Sequence, residues 1–406
     1  MIPSAFVKKG QLALAMLATH GFPWHRSDKQ SSRDAHRLRA MARRLSHAKW
    51  PSLLRPFAWL GAVVCWPLFS YREASLLGRH SNPDASPSGL VWKAWRGALR
   101  HNVPAAEYGA FGLWNAGASA PDSWLYTRES ALLTAHLMDD RVSDLVGHKV
   151  KFAEFCEQNT SHAVTETLAV FQEGVAIQDF TGGGPPEVPL VSKPVRTSMG
   201  RGFERWEVQD RAFTSSINPK QAPVPLNRLS QALAALSLRH PSGILVQRAL
   251  SAHPALAHLS EKGPPVSRIV TGRWQDGRIE VLNAMLQKPN ENTALTHGGP
   301  FRLIDIDTGE TVARSQNPHL FPSATNNEAF DGLCLPDWYA CTSALIQLHA
   351  AIEGQAPLLG WDVVFTPEGP TILEANTTLA PYFFQLASQA PAGNGKWVSL
   401  LAEYLP

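Results

Sequence analysis

The sequence predicts an α+β protein with a helical N-terminal extension. Three observations carry this expectation. Two β-hairpins are legible in the C-terminal half, at 266–287 and 360–376. Short apolar strands at 164–171, 189–194 and 243–250 alternate with helical patterns at 148–158 and 226–238. The charge is lopsided: residues 1–60 hold 11 Lys/Arg against 2 Asp/Glu, although the whole chain of 406 residues carries only +3.

A chain of this length with 44% hydrophobic residues can bury a large core and divide into two or three domains. We place boundaries to give a basic helical region at 1–88, a second helical region at 89–160, and sheet-bearing units at 161–250 and 251–406. Cys65, Cys156, Cys334 and Cys341 show no CxxC spacing and no paired His, so neither a zinc site nor a disulfide framework is indicated. A reducing, cytoplasmic setting is the simplest expectation. The opening MIPSAFVKKGQLALAMLATHG has a short apolar run and no convincing cleavage site, so it reads as a helix.

In chain order, RDAHRLRAMARRL within 31–45 puts Leu38, Met41, Ala42 and Leu45 on one side of a helix and Arg37, Arg39, Arg43 and Arg44 elsewhere. Residues 56–70 carry no charge but are shorter than the roughly twenty needed to span a bilayer, and Pro67 interrupts them. Two readings fit that segment: a helix buried against the body, which we favour, or an interfacial segment giving peripheral membrane contact through the basic N-terminus. SNPDASPSG at 81–89 reads as a linker, and 130–138 as the clearest helix after it. Further on, PLVSKP ends a strand in Lys193, and RTSMGRGF follows. A Gly/Ser-rich turn lets backbone N–H groups approach phosphate oxygens, and the lysine adds a point charge. Arg268 sits mid-strand among Ile and Val, so it is either paired or aimed into a site. The helix at 335–351 begins at Asp337, read as its cap.

The stretch GWDVVFTPEGPTILEANTTLAP at 360–381 organises the rest. Thr366 to Pro370 make the turn, Glu374 and Asn376 lie two apart and share a strand face, and Asp362 sits beside them on the partner strand. Two carboxylates and an amide oxygen suit Mg²⁺, with Mn²⁺ as the alternative, because a hard cation takes such donors and completes its shell with water and phosphate. An acidic strand, a turn and LEAN followed by small residues resembles the metal-binding hairpin of the ATP-grasp superfamily. The wording GWDVVFTPEGP…ILEAN is most similar to its sugar-transfer-associated branch, as are NTALTHGG and FRLIDIDTGETV at 292–312.

The resemblance, over roughly 149–385, implies an ATP-grasp fold in which two sheet-bearing subdomains enclose the nucleotide. It implies Lys149 and Lys193 as ligands of the ATP phosphates, Ser198, Gly200 and Gly202 in a flexible lid, and Gln247, Ala249 and Leu250 at the adenine. It assigns Arg268, with Lys193, to the transferring phosphoryl group, and Asp362, Glu374 and Asn376 to the metal. Lys151 competes with Lys149 for its assignment, and His297 is a candidate substrate contact. The chain departs from the family at Gln247, where a carboxylate is common, and at Ala255, where HPEL is usual. The implied activity is an ADP-forming carboxylate-amine ligase acting on small molecules through an acyl phosphate, in glycan, peptide or natural-product biosynthesis. No nucleic-acid partner is expected. The alternative is a non-catalytic nucleotide-binding or scaffold protein of such a pathway.

Overall fold

A computed structural model describes residues 33–48, 87–101, 103–113, 121–161, 164–180, 184–197, 200–215, 222–290, 296, 299–312, 328–388, 390–392 and 395–406. The segment at 56–70, the opening residues, Ser198 and His297 lie outside the described residues. Two sheets carry the fold. The first contains β1 (Thr167–Gln172), β2 (Val175–Gln178), β3 (Leu190–Pro194), β4 (Glu204–Gln209), β5 (Ala212–Ser215), β6 (Val224–Pro225) and β7 (Ile244–Arg248). Their order across the sheet is β2-β1-β7-β3-β4-β5-β6. The second contains β8 (Val266–Arg273), β9 (Ile279–Gln287), β10 (Phe301–Ile304), β11 (Leu358–Thr366) and β12 (Gly369–Asn376), in the order β10-β9-β8-β11-β12.

Period-two alternation explains how the second sheet divides its faces. Leu359, Trp361, Val363 and Phe365 of β11 enter one apolar cluster with Cys341, Leu345 and Leu348 of the Trp338–Ala351 helix. Gly360 and Asp362 consequently turn to the opposite face. Inside the helix-facing layer, Thr271 Oγ1 accepts from Trp361 Nε1 at 2.7 Å and lies 2.8 Å from His349 Nδ1. Burial pulls the His349 imidazole down to about 4, and its Nε2 lies 2.8 Å from the Ala356 carbonyl. That ring is therefore neutral and structural.

The N-terminal extension docks on the body. The Arg33–Ala48 helix buries Ala35, Leu38 and Ala42 in a cluster shared with Leu133, Leu137, Leu401 and Leu405. Arg39, expected on its polar side, is instead buried: its Nη1 lies 2.6 Å from Asp122 Oδ1 and its Nε 3.6 Å from Glu129 Oε2. The Pro87–His101 helix opens inside the stretch read as a linker. Asp337 does not cap the following helix; it adopts φ 51 and makes no side-chain cap bond. Before β1, Val164 makes only an isolated parallel bridge to Ile372, so the expected strand at 164–171 starts at Thr167. Among the described residues, no helix is long and apolar enough to cross a membrane.

Candidate active site

The site is assembled on neighbouring rungs of the second sheet. Arg268 of β8 lies opposite Asp362 of β11, and Asp362 lies opposite Glu374 of β12. Directly opposed residues of adjacent strands point to the same face, so the three form one row. A one-residue bulge is what completes that row. Near the turn, Val363 opposes Ile372; one step on, Asp362 opposes Glu374, so Leu373 is the extra residue. Without the bulge Leu373 would face Asp362, and Glu374 would be displaced along the strand. Asn376 opposes Gly360 two residues further along.

Arg268 forms a two-toothed pair with Asp362, Nε donating to Oδ1 and Nη2 to Oδ2, the latter at 2.9 Å. Burial works against the guanidinium charge, but Asp362 and Glu374 together outweigh it and hold Arg268 above its ordinary value. For the Asp362 carboxyl, burial pushes upward, Arg268 pulls down and Glu374 pushes up again, leaving it above its ordinary value. Glu374 behaves oppositely. Burial also pushes it upward, yet Lys149, Lys193 and Arg268 together bring it below the usual carboxylate range. One carboxylate is thus held ionised by surrounding cations, the chemistry a hard metal or a phosphate-binding centre needs.

Both lysines come from elements outside the second sheet. Lys149 begins the Lys149–Asn159 helix and is buried; its Nζ lies 3.3 Å from Glu374 Oε2 and donates to the Thr197 carbonyl at 2.9 Å. The competitor Lys151 is exposed and pairs with Asp144 at 3.1 Å, away from the cluster. Lys193 stands on β3, opposite Leu245 of β7. Burial pulls its ammonium down to about 8, while Glu374 and Asp362 support the charge and Lys149 opposes it. The loop expected as a lid joins β3 to β4, which pair antiparallel with Leu190 opposite Trp206. Its Gly200 and Gly202 take positive φ, and a Cβ on Gly202 would stand 2.7 Å from Pro194 Cγ and 2.8 Å from His240 Cε1. Only glycine fits that close a turn.

The positions expected at adenine have the following partners within the protein. Gln247 is buried and donates through Nε2 to the Thr165 carbonyl at 2.9 Å, while Thr165 donates through its backbone N–H to Ile372 at 3.3 Å. Gln247 is therefore part of a link between the two sheets. Ala249 N donates to the Pro189 carbonyl at 2.9 Å, and Leu250 follows it where the chain leaves the first sheet. The Thr197 and Thr165 carbonyls were not legible beforehand, because a backbone acceptor leaves no mark on residue type.

Does this donor set fit a metal? Among the described residues, no group of three or more His, Cys, Asp and Glu side chains gathers to hold one. The set here is two carboxylates and an amide, all oxygen-bearing, which suits Mg²⁺. Asn376 Nδ2 is buried with no hydrogen-bond partner; as a donor it calls for an acceptor such as a phosphate or water oxygen, and a cation would take Asn376 Oδ1 instead. The residues fit a hard cation, with Asp362 and Glu374 currently neutralised by Arg268 and Lys149.

A model of the sugar-transfer associated ATP-grasp family matches residues 128–395, more than half of the chain. The chain belongs to this family. The two-sheet, mixed helix and sheet architecture is accordingly an ATP-grasp fold, and the N-terminal extension to residue 127 precedes the matched part. No curated protein matches the chain. Similar solved structures include N5-carboxyaminoimidazole synthetase from Staphylococcus aureus, at 8% identity over 70% of this chain and 59% of that one, TM-score 0.36. D-alanine-D-alanine ligase from Helicobacter pylori aligns at 11% identity over 69% and 66% of the two chains, TM-score 0.37. N5-carboxyaminoimidazole synthase from Aspergillus clavatus, solved with ADP and 5-aminoimidazole ribonucleotide, aligns at 8% identity over 70% and 60%, TM-score 0.36. The chain thus spans 59% of the length of the first of these.

Proposed function

We propose that this ATP-grasp protein is an ATP-dependent ligase that activates a small-molecule carboxylate as an acyl phosphate and joins it to an amine, releasing ADP. One observation carries the reading: Lys149 contacts Glu374, Arg268 contacts Asp362, and Lys193 stands near enough for both carboxylates to support its charge, three cations around two carboxylates. A carboxylate oxygen is a poor leaving group. Its attack on the terminal phosphorus of ATP forms an acyl C–O–P linkage and breaks the bond to ADP; the amine then adds at the acyl carbon and expels phosphate.

In this assignment Lys149 and Lys193 neutralise the phosphate oxygens, and Arg268 stabilises the phosphoryl group in transfer. Asp362, Glu374 and Asn376 would hold Mg²⁺, which supplies charge neutralisation between the terminal phosphates when bound. Gly200, Gly202 and Ser198 would lie in the lid, and Ala249 and Leu250 beside the adenine. Gln247 would lie with them, and because it stands where a carboxylate is common, a carboxylate for the ribose would be missing or come from elsewhere. The work belongs to glycan, peptide or natural-product biosynthesis, in units bounded at 88, 160 and 250. Release of ADP across a panel of acids and amines tests it: turnover should depend on Mg²⁺ and vanish in Glu374→Ala. Undiminished turnover in that variant would discard the assignment, and nucleotide binding without turnover on any pair would favour the scaffold alternative.

A further inference from the structure

In this structure the carboxylates assigned to the metal are already taken. Arg268 uses both oxygens of Asp362, and Lys149 holds Glu374 Oε2 at 3.3 Å. These partners sit on adjacent rungs or at a buried helix start, so they are built into the fold rather than met by chance. Resting on the ATP-site reading above, we propose that Arg268 and Lys149 guard the metal ligands, so that a divalent cation enters only together with the triphosphate.

The charge balance argues for the order of events. Three cationic side chains face two carboxylates, and a free divalent cation would add like charge to a site that already has a surplus. A fork-shaped guanidinium-carboxylate pair is displaced only by an acceptor of comparable strength. Phosphate oxygens are such acceptors; water is not. When a triphosphate arrives, Arg268 exchanges the Asp362 oxygens for phosphoryl oxygens, and Asp362 becomes available to the cation that comes with the nucleotide. Arg268 is thus both the phosphoryl ligand and the element that prevents metal loading before the nucleotide binds.

The test is Mn²⁺ binding to the full chain, followed by electron paramagnetic resonance, without nucleotide and with a non-hydrolysable ATP analogue. Wild type should show a saturable Mn²⁺ site only when the analogue is present. Arg268→Met should bind Mn²⁺ without nucleotide on the order of tenfold more tightly than wild type or better, since charged hydrogen bonds no longer compete for Asp362. Lys193→Met removes a charge from the same cluster but frees no carboxylate oxygen in hydrogen-bond contact, and should shift affinity clearly less. Where Arg268→Met fails to fold, Arg268→Gln, which offers a single amide nitrogen instead of a fork, replaces it and should show the same gain in smaller measure. Tight Mn²⁺ binding by nucleotide-free wild type, or no gain in the folded Arg268 variant, overturns the proposal. The two readings fail separately: if the analogue does not bind with or without Mn²⁺, the ATP site itself is wrong, whereas analogue binding with free loading of Mn²⁺ defeats only the guard.

Discussion

Replacing Lys149 by Met, beside the control Lys151→Met, measures how far the site and the fold share one side chain. Lys149 has 9% of its side chain exposed and its partner Glu374 29%, and the ammonium also holds the Thr197 carbonyl at the base of the lid. Methionine keeps the apolar stem and loses two charged contacts, each worth about 1.5–3 kcal/mol when made to a charged group. Glu374 retains Lys193 and Arg268 as neighbours, and the desolvation cost of a buried ammonium is recovered. The net loss should be about 2–3 kcal/mol. Lys151 pairs with Asp144 where both side chains are half exposed, 52% and 50%, so its loss should cost roughly 0–1 kcal/mol. Urea unfolding followed by tryptophan fluorescence reads the first difference, and equilibrium binding of a fluorescent ATP analogue reads the second. Lys149→Met should weaken the analogue by about ten- to hundredfold, Lys151→Met not at all. A double-mutant cycle with Glu374→Gln should show coupling of about 0.5 kcal/mol or more. If the two lysine variants behave alike in both assays, the reasoning from burial is refuted.

Two further outcomes follow from titrating groups. Burial, and secondarily Glu129, lift the Glu107 carboxyl from 4.5 to about 7 against the N–H and O–H of Thr127. A raised carboxyl stabilises the fold below its unfolded value and loses that contribution as pH rises through about 7. Glu107→Gln should therefore exceed wild type in stability at pH 8 by roughly 3 kcal/mol, with the gap closed near pH 4; a pH-independent difference would contradict this. Because the Lys193 ammonium titrates near about 8, affinity for the ATP analogue should fall as pH rises through that value. Lys193→Met should bind more weakly and without that fall, and an unchanged profile would remove Lys193 from the phosphate site.

Much of the fold was readable because its signals are local. The Pro367-Glu368 turn between β11 and β12, the spacing of Glu374 and Asn376 and the Gly-bearing loop after β3 are written in adjacent residues. What the sequence concealed depends on register or on distance along the chain. The bulge at Leu373 that brings Glu374 opposite Asp362 has no residue signature. Lys149 and Lys151 differ by two positions, which on a helix sends them to different sides; which side faces Glu374 is decided by packing against the distant Val195 and Thr197 backbone. Arg39 reads as a surface arginine until Asp122, 83 residues away, supplies its partner. Asp337 shows the reverse error: a residue type that favours caps, at the right position, in a conformation that cannot use its side chain.

A crystal structure with Mg²⁺ and a non-hydrolysable ATP analogue tests the central claim most directly. The account predicts the terminal phosphates within hydrogen-bond distance of Lys149 and Lys193, Arg268 turned from Asp362 onto the phosphoryl oxygens, and the metal on Asp362 and Glu374. Nucleotide bound elsewhere, with the Arg268–Asp362 and Lys149–Glu374 pairs undisturbed, would contradict it.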